Sequence, residues 1–253
     1  MAIDDFSFLK GSNYGTIFID HNTHFFIDAL DTRTKNKVSE RLKSFVNVKI
    51  VTRDRGKSYG SSIKEALPNA KQIADIFHLD ENLTDKVKEY IKSKLPQDFY
   101  FNEKYNLIKE KKNKKYVLHR NKIISIIFKG FGILKENEKR MVKEILKENK
   151  EIKIVINQVL KFRNITNNRD ERSFKKLLKK WRNSQILLLR TFMKGIDLDI
   201  EAVLNCIKYK ETNGLAEGKI NKLKTIKRML YGRASNELLK SRLFLSDYFH
   251  SIE

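Results

Sequence analysis

Cysteine is almost absent from the 253-residue chain: Cys206 stands alone, which excludes an internal disulfide and any zinc site built from clustered thiolates. The same scarcity makes the cytosol the natural compartment. Proline occurs only at Pro68 and Pro96, so everything after the first hundred residues can run as uninterrupted helix. With ten glycines and 40% hydrophobic residues the chain is not a disordered polymer, and it is long enough for one large domain or two smaller ones. No apolar run approaches the ~18 residues of a membrane span. The run at residues 186–189 is short and bracketed by Arg182 and Arg190, and Met1-Ala2-Ile3-Asp4-Asp5 is not a signal peptide. Acidic residues are also in deficit, 31 against 53 Lys and Arg, for a net charge of +22. An excess of that size points to a polyanion, most often nucleic acid.

What is present divides into two textures. Residues 2–8, 14–19 and 25–30 are short apolar runs separated by Gly11-Ser12-Asn13 and His21-Asn22-Thr23, the spacing of a three-strand antiparallel meander. Val38, Leu42 and Phe45 recur at helical spacing within residues 35–45. Residues 46–52 then read as a buried strand ending at Arg53-Asp54, residues 58–67 as a helix stopped by Pro68-Asn69, and residues 71–77 as another strand. Three strands, helix, strand, helix, strand is the order of the ribonuclease-H-like fold, an α/β architecture with a mixed sheet covered by helices. Residues 1–81 would form the first part of that core.

From residue 82 to 210 the pattern turns helical, and it reads as a large all-helical insertion. Its stripes are Val87, Tyr90, Ile91 and Leu95; Ile152, Val155, Ile156, Val159 and Leu160; Phe174, Leu177, Leu178 and Trp181; and Ile200, Val203, Leu204 and Ile207 behind a cap at Asp197 or Asp199. A basic segment at 109–115 and a polar loop at 164–172 lie between them. Residues 211–253 supply helices that complete the core. There Asn213-Gly214 signals a turn into a helix reaching Leu230, with Tyr231-Gly232 as its glycine stop. Ala216, Ile220, Leu223, Ile226 and Leu230 share one face of that helix, and Glu217, Asn221, Lys224 and Arg228 another.

Three carboxylates sit where an element could project them: Asp4 on the first strand, Asp54 at the end of the fourth, and Glu217 on the late helix. In a ribonuclease-H-like sheet the first and fourth strands are neighbours, so Asp4 and Asp54 would lie side by side. Two carboxylates ~4 Å apart repel by roughly 4 kcal/mol at an effective dielectric of ~20. Hard divalent cations such as Mg²⁺ or Mn²⁺ relieve that repulsion, and a pair of them suits in-line phosphoryl displacement. Asp5 and Asp20 rival Asp4 as first ligand, and Asp54 between Arg53 and Arg55 also reads as a turn residue with ionic neighbours. Asp75 and His78 lie three apart, as a phosphate or metal contact or as an ion pair closing a strand-to-helix corner. Asp20-His21-Asn22-Thr23-His24 has no third ligand to make it a metal site. Cys206 sits on an apolar stripe and reads as core.

Taken in order, Ile3-Asp4-Asp5-Phe6-Ser7-Phe8-Leu9-Lys10-Gly11 with Tyr14-Gly15-Thr16, Val51-Thr52-Arg53-Asp54-Arg55, Leu67-Pro68-Asn69-Ala70 leading to Asp75-Ile76-Phe77-His78, and Asn213-Gly214 through Arg228 with Tyr231-Gly232-Arg233-Ala234 resemble the catalytic region of bacterial DDE transposases of the ISL-three family. The resemblance implies metal-dependent DNA cleavage and strand transfer on a ribonuclease-H-like core. It places the acidic triad on Asp4, Asp54 and Glu217, which would hold two Mg²⁺ or Mn²⁺ ions. Asp75 and Asn221 would be supporting groups. His78, Lys219, Lys222, Lys224, Lys227 and Arg228 would contact DNA. Partners would be transposon ends and target DNA, with a homodimer or a complex with a full-length transposase as the active form, near the bacterial nucleoid and away from membranes. Where the family usually has Asp-Glu this chain has Asp4-Asp5. The zinc-binding helix-turn-helix that normally precedes the first Asp has no counterpart here, as expected of a catalytic fragment, a truncated copy or a protein relying on a partner. A catalytically silent DNA-binding regulator and a plain metal-dependent nuclease are the alternatives.

Overall fold

The computed structural model describes residues 1–9, 13–109 and 111–250. Lys10, Gly11 and Ser12 of the first expected turn, and Glu110 within the basic segment, lie outside the described residues. The chain forms two compact units, Met1–His78 with Asp199–Glu253, and Leu79–Leu198.

In the first unit β1 (Ala2–Leu9), β2 (Asn13–Ile19) and β3 (Phe26–Leu30) form the expected antiparallel meander. Next come α1 (Lys35–Leu42), β4 (Ile50–Arg53), α2 (Lys57–Ala66) and β5 (Lys71–Ala74). The sheet order is β3-β2-β1-β4-β5, and β1 runs parallel to β4 and β4 to β5. The result is a mixed sheet in an α/β unit. Alternation along β1 divides the core in two. Ile3 packs with Phe18, Val38, Leu42, Val51, Tyr59 and Ile63 on the side of α1 and α2, whereas Ala2 and Phe6 face the opposite layer.

Two strand boundaries differ from expectation. Residues 46–49 are not strand: after α1 the chain makes successive turns, with Phe45 N–H donating to Leu42 and Val48 N–H to Phe45, and Val46 is left exposed. Residues 75–77 are not strand either. The Asp75 carboxylate accepts the Phe77 N–H at 2.8 Å and turns the chain into α3 (Ile76–Lys94). Such a side-chain acceptor satisfies a donor that a helix start leaves open.

The second unit is not all-helical. Phe99, Phe101 and Leu118 are buried from a small antiparallel sheet made of β6 (Asp98–Phe101), β7 (Leu107–Ile108) and β8 (Tyr116–His119), in the order β7-β6-β8. Its strands are too short, and too closely flanked by lysines, to compete with the helical pattern around them. The remainder is helical: α4 (Asn121–Lys129), α5 (Glu136–Glu148), α6 (Lys150–Asn167), α7 (Glu171–Arg182) and α8 (Leu187–Asp197). The polar loop shrinks to residues 168–170, because its flanks continue α6 and begin α7. Trp181 is fully buried, stacked on Phe162 at 5.7 Å, with its Nε1–H donating to Gln158.

The chain then returns to the first unit with α9 (Ile200–Lys208), α10 (Gly214–Met229) and α11 (Asn236–His250). Ala216, Ile220 and Leu223 of α10 and Leu243 of α11 bury their side chains against Ala2, Phe6, Ile17 and Ile19, and Ile226 packs on their edge. Cys206 is buried on α9. Neither expected cap is made by a carboxylate: α9 begins after Asp199, but that side chain is engaged with Arg53.

Candidate active site

Register brings three aspartates together. Ala2 pairs with Thr52 and Ile3 with Arg53, and Arg53 pairs with Ala74. One step further along the same rows stand Asp4, Asp54 and Asp75, from three adjacent parallel strands with a spacing of ~4.8 Å between neighbours. Positions two apart on a strand share a face, so Asp4 lies on the side of Ala2 and Phe6, the side that α10 covers.

A chain of hydrogen bonds joins this row to α10. Thr52 Oγ1 donates to Asn213 Oδ1 at 3.1 Å, and Asn213 Nδ2 donates to Asp4 Oδ2 at 3.2 Å. Since the Thr52 proton is used there, His21 Nε2–H is the donor in its 2.9 Å contact with Thr52 Oγ1. Burial, reinforced by the N-terminal ammonium, pushes the His21 imidazole down to about 4, so it is neutral at physiological pH. Asn213 is 1% exposed and stands at the start of α10, but its side chain caps nothing within the helix. It reaches the sheet instead. Glu217 lies one turn further on, the i, i+4 neighbour of Asn213, exposed and in the first turn of α10.

The electrostatics of the row are unfavourable to full ionisation. Asp4 is 7% exposed. Burial pushes its carboxyl up to about 7; the charges of Asp5 and Asp54 add to this, while the Asp5 N–H and His78 pull against it. Burial raises Asp75 as well, opposed by the Phe77 N–H and His78. Asp54 is half-buried, and its Oδ1 accepts the Arg55 N–H at 2.5 Å.

The expected ionic neighbours of Asp54 go elsewhere. Arg53 is buried and donates to both oxygens of Asp199, at 2.7 and 3.1 Å, to Gln72 Oε1, and to the Asp54 carbonyl. Gly60 makes room for this, since a Cβ there would meet the Arg53 guanidinium at 3.0 Å. Arg55 also turns toward Asp199, at 3.8 Å. The two arginines thus fix the β4 end, and Arg55 also feels the Asp54 charge.

The rival acids have other surroundings. Asp5 pairs with Arg33 at 3.0 Å. Asp20 follows Ile19, which pairs with Ala2 at the start of β1, and its Oδ1 accepts the Asn22 N–H. Of the basic residues on α10, Lys219 and Lys222 both pair with Asp247, a buried carboxylate of α11 that also accepts the Phe26 N–H at 2.8 Å. Burial alone would raise Asp247, but the Lys219, Phe26 and Lys222 donors hold it below its ordinary value. Lys224, Lys227 and Arg228 have no carboxylate partner among the described residues. With Asn221 they line a cleft of about 750 Å³.

Donor chemistry fits a hard divalent cation: the row offers carboxylate oxygens, and a cation would remove the charge penalty on Asp4. Among the described residues, no three of His, Cys, Asp and Glu are gathered closely enough to enclose an ion. Of the expected groups, the fold brings Asp4, Asp54, Asp75 and His78 into electrostatic contact, and sets Glu217 one turn from the residue bonded to Asp4. His21, Thr52 and Asn213 were not among the expected site residues. The buried position of Asn213 ahead of the Glu217 helix is visible only once β1 and β4 are paired.

A sequence profile for a transposase family of the DDE type matches residues 1–243, nearly the whole chain. The chain belongs to this family, the ISL-three transposases. No curated protein and no solved structure matches it.

Proposed function

We propose that the chain is the catalytic part of a transposase, a metal-dependent polynucleotidyl transferase with a ribonuclease-H-like core, in which Asp4, Asp54 and Glu217 are the ion ligands and residues 79–198 are an insertion. The observation that carries this reading is the hydrogen bond from Asn213 to Asp4, which ties the helix bearing Glu217 to the Asp4–Asp54 row. The sheet order β3-β2-β1-β4-β5 supports the core assignment.

When bound, Mg²⁺ or Mn²⁺ would neutralise the phosphate and lower the pKa of an attacking hydroxyl. The protein's own share follows from its residues. Asn213 and the Asp5 N–H fix the two oxygens of Asp4. Asp75 stands beside it, its charge disfavoured by burial and favoured by the Phe77 N–H and His78. Lys224, Lys227 and Arg228, further along α10 than Glu217, hold backbone phosphates of the bound strand, with Asn221 beside them. In the reaction water attacks a phosphodiester at a transposon end and releases a 3′-hydroxyl, which then displaces a 3′-oxygen in target DNA.

Incubation of purified protein with Mn²⁺ and labelled DNA, with cleavage and joining read on one gel, tests this. Wild type should cut and join, and Asp54→Asn or Glu217→Gln should abolish both. Turnover that survives either substitution overturns the triad. The open spacing of the acids favours one second reading, a silent DNA-binding regulator, which would bind in a salt-sensitive manner and never cut.

A further inference from the structure

α10 ends in a way that neither packing nor backbone economy explains. The Gly232 N–H donates to the Lys227 carbonyl at 2.9 Å and the Tyr231 N–H to the Arg228 carbonyl at 3.0 Å, closing the helix through a left-handed residue. That residue is Tyr231, at φ 54°, with Gly232 following at φ 73°. Glycine takes this conformation without penalty, whereas a side chain is strained there. The tyrosine gains no burial in exchange, because it is 91% exposed. A strained residue that contributes nothing to the core points to a use outside it.

Its position supplies the use. Glu217, Asn221, Lys224 and Arg228 follow one another at helical spacing along a single face, and Tyr231, past the helix end, lines the same cleft as the last three. Tyr231 closes the end of the cleft lined by Asn221, Lys224, Lys227 and Arg228, whose volume of about 750 Å³ is in the range that holds compact organic ligands. An exposed aromatic ring beside three cationic side chains combines the two elements by which proteins hold single-stranded nucleic acid, a stacking surface and backbone neutralisation. In the interior of duplex DNA both faces of each base are already stacked, so away from duplex ends the ring can accept only an unpaired base. We propose that Tyr231 and the cleft beside it form a seat for an unpaired nucleotide, the phosphates held by Lys224, Lys227 and Arg228 and the base stacked on the Tyr231 ring. This rests on the assignment of DNA as substrate under the proposed function.

The helix also sets a distance. Fourteen residues separate Glu217 from Tyr231, about 21 Å at 1.5 Å per residue, or roughly six steps of a stacked strand at 3.4 Å each.

The test compares the full chain with Tyr231→Gly and Tyr231→Trp, binding a blunt duplex and the same duplex with a single-stranded tail. The tail carries 2-aminopurine at successive positions as a stacking probe. Wild type and Tyr231→Trp should perturb 2-aminopurine fluorescence at one or two adjacent positions. Tyr231→Gly, which relieves the backbone strain and so should fold, should lose that signal and bind the tailed duplex roughly 5- to 150-fold more weakly while binding the blunt duplex as before. Unchanged tail affinity and an unchanged signal in Tyr231→Gly overturn the seat and leave the DNA assignment standing. Failure of the wild type to bind either DNA overturns the assignment on which the seat rests.

Discussion

Asp4 carries the largest unrelieved electrostatic cost in the row. Its carboxyl titrates at about 7 in the folded protein against 3.8 in the unfolded chain, because burial and the neighbouring acids disfavour its charge. Between those two values the folded state keeps a proton that the unfolded state has released, so stability falls as pH rises. The loss is complete above about pH 7 and amounts to at most about 4 kcal/mol. Between pH 5 and pH 8 Asp4 lowers the urea midpoint of the metal-free protein while His21, held neutral in the fold, raises it, so Asp4→Asn should raise the pH 8 midpoint relative to the pH 5 one. Added Mn²⁺ should restore the midpoint of the wild type at pH 8 and have little effect at pH 5, where Asp4 is protonated. Asn213 is the second residue on which the site depends. Asn213→Ala removes the donor to Asp4 and the acceptor for Thr52, and should cost about 1–3 kcal/mol in a urea titration. It should also lower cleavage more than any α10 lysine substitution, since it frees the helix start from the acids.

At the level of elements, α10 is held at its start and near its middle by buried polar groups: Asn213 at its start, and Asp247 of α11 through Lys219 and Lys222. Asp247→Ala leaves two ammonium groups and the Phe26 N–H without their acceptor, and a loss of about 3–5 kcal/mol in thermal or urea unfolding is expected. The elements themselves were legible where local signals were strong. The meander showed in its turn residues, the α2 stop in Pro68-Asn69, and the buried stripe of α10 in Ala216, Ile220 and Leu223. Local pattern failed where a neighbour decided the outcome. Residues 73–77 are apolar enough to read as continuous strand, yet one hydrogen bond to the Asp75 side chain ends it. β6 to β8 become strands by pairing with one another. The side-by-side placement of Asp4 and Asp54 was legible, because it follows from sheet order alone. The His21-Thr52-Asn213-Asp4 chain was not, since Asn213 lies 161 residues from Thr52 and 209 from Asp4.

For the whole molecule, the net charge of +22 matters less than how much of it is free to meet phosphate. If about six phosphates are neutralised, the logarithm of DNA affinity should fall against the logarithm of salt concentration with a slope near −5. Lys219 and Lys222 do not contribute while Asp247 holds them. Weakening that hold with Asp247→Asn, which keeps a side-chain oxygen for Phe26, should steepen the slope by up to about 1.8 if both lysines reach phosphate. Fluorescence anisotropy across a salt series measures both values. An unchanged slope in the variant would show that these lysines face away from bound DNA.

The reach of the Asn213–Asp4 bond also bears on how the protein is made. At a synthesis rate of about 5–20 residues per second, the 209 residues between them take roughly 10–40 s to emerge. Once β4 and Asp75 have emerged, for most of that interval the nascent chain can pair β1 with β4 and gather its aspartates, while Asn213 has yet to be made. The row of aspartates can thus assemble well before the residue that ties α10 to it, which makes the Asn213–Asp4 bond a late contact in the folding of the emerging chain.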